Sequence, residues 1–367
     1  MSGVITIFRE VRDPREPNAR HDLPDILFVA LAAVLCGAKT CVDMAEFAED
    51  RLADLREVVA LAHGAPSHDT FSRVFRLLDP AELEKAFSRC LAAIRQELGV
   101  AAPTGVVAID AKSLRRGYDK GRAFMPPLMV GVFDSQTRLS IAQARAPDGS
   151  EVKGTLALLK TLVLKGCTVT ADALHCHAAM TEAVREAKAH YALGLKGNQS
   201  ALLADAEAAF AGVGENLNLY ETREKRHGRS EQRSAAILPA SALVRDPGFR
   251  DLAAIGRIRA ERIGTDGKTA VATRYVVLSK RLSPRKLMEV VRAHWSIENQ
   301  LHWTLDVVFD EDDARSRKNY APENLAVLRR LALNLLRTHP LQRSIHGKIQ
   351  RAARRKDFLF ELFAQMR

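Results

Sequence analysis

Three carboxylates stand where ordinary packing would not put them. Asp110 closes the apolar run GVVAID (Gly105–Asp110), and Asp172 closes CTVTAD (Cys167–Asp172). Both runs read as short buried strands. Strand ends gather along one edge of a mixed sheet, so two such side chains can come close together. Glu298 lies in SPRKLMEVVRAHWSIENQLHWTLDVVFDEDD, Ser283–Asp313. Like charges held together raise each other's proton affinity unless a cation neutralises them. Oxygen ligands on rigid strands, with no three-His or four-Cys set, suit Mg2+ or Mn2+ rather than zinc. Three carboxylates could hold two divalent ions. That arrangement activates an attacking oxygen and stabilises a leaving one in an in-line phosphoryl displacement. For either aspartate alone, a strand-ending turn residue is the simpler reading.

The elements that must position them follow from periodicity. Ser283 as N-cap and Pro284 at the first helical position open a helix, with Leu287, Val291, Trp295, Leu301 and Leu305 along one face. At about 100° per residue, Glu298 falls within ~20° of Leu287, Val291 and Leu305. A carboxylate within an apolar stripe needs a cation, a metal or a proton; an edge position paired with an Arg is the alternative. Upstream, PLMVGVFD and LSIAQARA flank the turn Asp134–Thr137 as a hairpin, GTLALLKTLVL (Gly154–Leu164) is an amphipathic helix, HAAMTEAVREAKAH is another, and YALGLK a further strand. The order β-β-β-α-β-α-β predicts an α/β fold, a mixed sheet with flanking helices.

Four regions follow. Residues 1–100 read as all-helical, with starts at Asp22-Leu23-Pro24, Asp43, Ser67 and Asp79-Pro80. A helix-turn-helix or a packing domain would both fit. Residues 101–211 carry the first part of the core. Residues 212–282 form a β-rich insertion around the turn Asp266-Gly267-Lys268. Residues 283–367 hold the Glu298 helix and a basic helical remainder.

Bulk properties bound the partners. Hydrophobic content of 47% and charged content of 27% are ordinary for a globular chain of 367 residues. The longest apolar run, Ile26–Ala38, has 13 residues, short of the ~20 that cross a bilayer, and no leader precedes it. A cytoplasmic, nucleoid-associated protein with no membrane role is expected. Five cysteines make no disulfide framework, Cys36 and Cys41 lack a second pair for zinc, and consecutive His175-Cys176-His177 should diverge. Of the net +11, a net of +10 lies in residues 315–367, where 13 Lys/Arg face three acids. Concentrated basicity rich in Arg, including Arg329 and Arg330, favours a phosphate partner, hence nucleic acid. A solvated helix face is the alternative.

With these stretches together, the chain resembles the DDE-type insertion-sequence transposases, in the branch that includes the H-repeat-associated proteins. The matching segments are PSHDTFSRVFRLLD, VVAIDAKSLR, TVTADALHCH, YALGLKGNQ, RHGRSEQR, RAHWSIENQLHWTLDVVFDEDDARSR and APENLAVLRRLALNLLR, which span nearly the whole chain. The resemblance implies a ribonuclease-H-like core, a β insertion before the last acid, and a DNA-binding helical N-terminal region. It also implies catalysis by Asp110, Asp172 and Glu298 with Mg2+. The partners would be element ends and target DNA, with a homo-oligomer at synapsis.

Two departures stand out. Ala111 replaces a usual Gly after the first Asp, and its methyl would narrow the room beside the metal. Val291, His294 and Leu305 occupy the places where the wider group often carries Tyr, Arg and Lys around its Glu. Phosphate clamping would then fall to His294, His302, Lys112 or Arg115. His294, Glu298 and His302, four apart, could instead stack as a metal site. Lys196 and Asn198 follow a strand near the same edge and could touch phosphate, although Asn198 could equally cap the next helix. His227 and Arg229 lie in a polar loop that could meet DNA ends. The acidic run from Asp306 to Asp313 could supply a substitute ligand or be an Arg-paired turn. Expected functions are a transposase, a same-fold metal-dependent nuclease, or an inactive DNA-binding relic.

Overall fold

One register organises the molecule. β1 (Val106–Ser113) runs parallel to β4 (Thr168–Ala171), with Val106 opposite Thr168 and Ala108 opposite Thr170. Carried two residues further, that offset sets Asp172, just past the end of β4, opposite Asp110. Alternation along the strands puts Val106, Asp110, Thr170 and Asp172 on one face.

The computed structural model describes residues 2–100, 102–117, 126–226, 229–264 and 268–366. Six helices come first: α1 (Ser2–Arg9), α2 (Leu23–Leu35), α3 (Cys41–Asp50), α4 (Leu52–Leu55), α5 (His68–Leu77) and α6 (Pro80–Glu97). Their starts are local chemistry. The Ser67 side chain accepts from Thr70 N, and Asp79 accepts from Ala81 N ahead of Pro80. The cap expected at Asp43 is instead Thr40, with Asp43 reaching back to close a capping box.

After β1, the meander continues through β2 (Leu128–Asp134) and β3 (Leu139–Arg145). Then come α7 (Glu151–Leu159), β4, α8 (Ala178–Glu186), β5 (His190–Leu195), α9 (Ser200–Val213), β6 (Tyr220–Arg226), β7 (Arg229–Pro239), β8 (Ala254–Ile263) and β9 (Thr269–Leu278). The strand order is β3-β2-β1-β4-β5-β9-β8-β7-β6. The antiparallel meander followed by two parallel strands, β3-β2-β1-β4-β5, is the ribonuclease-H-like arrangement expected. The strands of 212–282 extend the same sheet, because β9 pairs antiparallel with β5. Gly267 and Asp266 of the expected turn lie outside the described residues.

α10 (Pro284–His294) packs on the Asp110 face, in a cluster with Val106, Ala192, Ala254, Ile258 and Leu278. Close approach needs a bare backbone: a Cβ on Gly256 of β8 would stand 2.6 Å from Leu287 Cδ2. α7 lies equally close to the sheet, where a Cβ on Gly154 would meet Val130 Cγ2 at 2.8 Å. α11 (Trp303–Val307), α12 (Ala321–Thr338), α13 (Ile345–Arg354) and α14 (Lys356–Ala364) complete the chain. α12 is buried among α2, α5, α6 and β3, so the first and last helices share one core with the sheet. Among the described residues no helix is long and apolar enough to cross a membrane.

Candidate active site

Asp110 does not end its strand. β1 continues to Ser113, and Asp110 sits opposite Gly131 of β2, just past the last β4 pairing at Ala108. Its carboxylate is therefore half-buried at the point where the sheet opens. Burial raises its proton affinity most. The Ala111 backbone N–H offsets part of this, and the charges of Glu151, Glu298 and Asp172 raise it again, to about 7. The carboxylates of Glu151, Asp172 and Glu298 thus all lie near enough to Asp110 for their charges to act on it. Asp172 stands at the mouth, and its Oδ1 accepts from Leu174 N at 2.9 Å, which starts a short 3-10 turn over Ala173–His175.

The segment carrying Glu298 departs from the expectation. After α10 the chain forms a π-helical stretch over Ile297–His302, with the Trp303 N–H bonded to the Glu298 carbonyl. The i→i+5 spacing inserts an extra residue into the turn, so a wheel drawn at 100° per residue fails across it. Ile297, Leu301 and Leu305 are buried and Glu298 is exposed. The stripe is real, but the carboxylate is not in it. Glu298 faces outward, near enough to Asp110 for its charge to raise that residue's proton affinity.

The same turn dissolves the proposed His-Glu-His stack. His294 Nδ1 lies 3.1 Å from Thr170 Oγ1, and His302 Nδ1 lies 3.5 Å from Asp110 Oδ2. Burial holds both imidazoles far below their usual value, His294 at about 4 and His302 at about 3. At neutral pH neither can clamp phosphate as a cation. Among the described residues, the ligand atoms that come within 4.8 Å of one another as a set belong to Glu151, Asp172 and His175. His175 thus leaves its neighbours: Cys176 is buried, and His177 caps α8.

Other expectations are corrected by burial. The Lys112 side chain is 8% exposed and pairs with Asp306 at 2.6 Å, with Asp312, and with Glu311 at 3.7 Å. Its charge is spent inside the protein. Arg330 is fully buried against Glu311 at 3.2 Å, and Arg329 reaches the Lys39 carbonyl. Neither is presented to DNA, because α12 is a core helix. Arg337 donates to the Arg138 carbonyl, and Lys348 Nζ donates to those of Leu336 and His339. Much of the basic tail therefore serves helix ends and buried acids. The acidic run is a paired turn, with Asp310 on Lys39 and Asp313 on Arg116.

Arg115 remains outward, 76% exposed and 3.3 Å from Asp312. Lys196 is exposed after β5. Asn198 caps nothing; its Nδ2 donates to the Ala173 carbonyl at 2.6 Å and braces the turn after Asp172. Arg229 opens β7 opposite Arg226, and His227 lies outside the described residues. Ala111 pairs with Val130 and packs into the main core, on the face opposite Asp110. Its methyl does not narrow the site.

Glu151 and Arg274 escaped the sequence reading. The helix expected from Gly154 begins three residues earlier at Glu151, capped by Ser150, which puts Glu151 at its first position. Arg274 of β9 stacks over the Trp295 ring at 4.6 Å.

Residues 101–335 match the family described as "Transposase DDE domain", and residues 5–91 match the one described as "DDE_Tnp_1-associated". The chain belongs to the DDE transposase family. It is 31% identical over 344 residues to "Putative transposase YncI" of Escherichia coli O157:H7, covering 91% of this chain and 86% of that one. It is 29% identical to "H repeat-associated putative transposase YhhI" of Escherichia coli K12, over 95% and 93% of the two chains. It is also similar to a solved piggyBac transposase in a synaptic complex with hairpin DNA. That likeness is at 12% identity and a TM-score of 0.47, covering 99% of this chain and 80% of that one. The family is one of divalent-metal enzymes, and the donors present fit: acidic oxygens on a strand, a strand end and a helix, with a proton held on Asp110 to about pH 7 where a cation would take its place.

Proposed function

We propose that this transposase cleaves the ends of its element and joins them to target DNA, using Asp110, Asp172 and Glu298 to hold Mg2+ or Mn2+, two ions in the full centre. The observation that carries the reading is the crowding of carboxylates around Asp110, which only a cation or a proton relieves. When bound, the ions supply activation of the attacking oxygen and stabilisation of the leaving one. The chain's own residues do the rest. The π-helical turn aims Glu298 at the mouth. The Thr170–His294 contact ties the end of α10 to β4. His302, kept neutral by burial, adds no competing positive charge beside Asp110.

Lys196 and Arg274 both lie near enough to His294 to depress its proton affinity, and they supply positive charge at the lip for a phosphate backbone. Beside them, a groove of about 430 Å³ lined by Arg233, Arg262, Arg274, Trp295 and Asn299 runs between the extended sheet and α10. Arg and an aromatic face together suit a nucleic-acid strand. The helical region 1–100 binds element ends in this reading, the extension 212–282 flanks the bound strand, and two protomers meet at synapsis in the nucleoid.

The test uses the full chain, element-end duplexes and Mg2+. Asp110→Ala, Asp172→Ala and Glu298→Ala should each abolish cleavage and joining while end binding persists. Wild-type activity in any of them overturns the reading. Nicking without joined products in the unmodified protein would make it a nuclease of this fold instead.

A further inference from the structure

A fourth carboxylate stands beside Asp172. Glu151 is the first residue of α7, and Gly154 holds that helix hard on β2. Its Oε1 lies 2.8 Å from Nε2 of His175, a side chain 1% exposed at the end of the turn that Asp172 begins. The other ring nitrogen of His175 is buried with no hydrogen-bond partner among the described residues. Glu151, Asp172 and His175 bring ligand atoms within 4.8 Å of one another, and Glu151 shares the surroundings of Asp110 with Glu298 and Asp172.

Resting on the metal-dependent reading above, we propose that Glu151 is a fourth metal-holding carboxylate of the centre and that His175 is the positioning residue that holds it there. A glutamate at a helix N-terminus is ordinary, since the macrodipole favours it. That role needs no buried partner. Here a fully enclosed imidazole fixes the carboxylate beside Asp172, the same kind of outer support that orients metal ligands elsewhere. The turn serves both residues. Asp172 starts it through Leu174 N, His175 ends it, and Asn198 braces its Ala173 carbonyl. Asp172 and Glu151 are thereby both tied to one short loop. Glu151 gives the centre an additional oxygen donor for hard divalent ions.

The experiment is a Mn2+ titration of the full chain without DNA, by calorimetry and electron paramagnetic resonance. Thermal unfolding of the metal-free variants runs beside it. Glu151→Gln should raise the Mn2+ Kd by about 10-fold or more, in the range that metal-site support residues reach, with little change in metal-free Tm. Glu151→Asp should recover part of the affinity. His175→Leu should weaken Mn2+ binding, and His175→Gln, which keeps a polar contact to Glu151, should weaken it less. A Kd within about twofold of wild type for Glu151→Gln, alongside lost binding in Asp110→Ala and Glu298→Ala, overturns this inference alone. Unchanged binding in Asp110→Ala and Glu298→Ala as well overturns the three-carboxylate reading. A lowered metal-free Tm with unchanged Kd in Glu151→Gln assigns Glu151 a purely structural role and also overturns the inference.

Discussion

Leu287 of α10 rests on the bare backbone of Gly256 in β8, with room for no more than a hydrogen between them: a Cβ on Gly256 would stand 2.6 Å from Leu287 Cδ2 and 3.0 Å from Cδ1. α10 leads directly into the π-helical turn, so this contact sets the height of Glu298 above the sheet. Gly256→Ala should cost about 1–3 kcal/mol through overpacking. It should also lower cleavage more than end binding, because Glu298 is lifted while the helical region 1–100, which binds element ends in this reading, is not. Gly212→Ala is the control. Gly212 lies in α9 with nothing within 4 Å of an added Cβ, and alanine should be neutral or slightly stabilising there. Denaturant unfolding and a single-turnover cleavage assay measure both.

The buried Arg330–Glu311 pair, with neither side chain exposed, separates structure from DNA binding. Arg330→Ala leaves Glu311 without that partner in the core and should cost about 3–5 kcal/mol. Arg330→Met with Glu311→Met removes both charges and should recover much of that loss. Urea unfolding reads the stability. Equal end binding by the folded double variant would establish that Arg330 is a core residue rather than a DNA contact.

Positive charge at the mouth is expected to act through the phosphate backbone. Lys196→Ala and Arg274→Ala should each weaken binding across sequences and reduce the slope of log affinity against log salt by about 1. Fluorescence anisotropy between low and moderate salt measures this. An unchanged slope in both would remove them from the DNA surface.

Glu84 of α6 should make stability depend on pH. Burial raises its carboxyl to about 8, only partly offset by the Gln143 side chain and Arg330. The folded state thus keeps a proton that the unfolded chain releases near its ordinary value of 4.5. The unfolded state binds fewer protons through that window, so stability falls as pH rises from about 4.5 to about 8 and levels off beyond it. Glu84→Gln should flatten that part of the Tm profile and raise Tm at pH 8.5. A decline of the same steepness in the variant would exclude Glu84 as its source.

What could be read from the chain alone was local or periodic. Ser67, Asp79 and Ser283 announce helix starts because each cap bonds a backbone N–H two or three residues away. The apolar runs before Asp110 and Asp172 announce strands in the order that places both acids at one sheet opening. What stayed hidden depended on distant partners. A count of charges cannot see that α12 is enclosed by α2, α5 and α6, which turns Arg329 and Arg330 inward. An acid at the start of a helix looks ordinary until a buried His175, 24 residues on, is found holding it.

The clearest division runs through Glu298. Its residue type, its order after the two aspartates that follow apolar strand runs, and the helix that carries it were all determined by the sequence. Its direction was not. A period of 3.6 residues placed it inward, and the π-helical turn, formed where Leu301 and Leu305 must still reach the core, rotated it out toward Asp110 and Asp172. Packing on both sides of the bulge decided that orientation, and no local propensity encodes it.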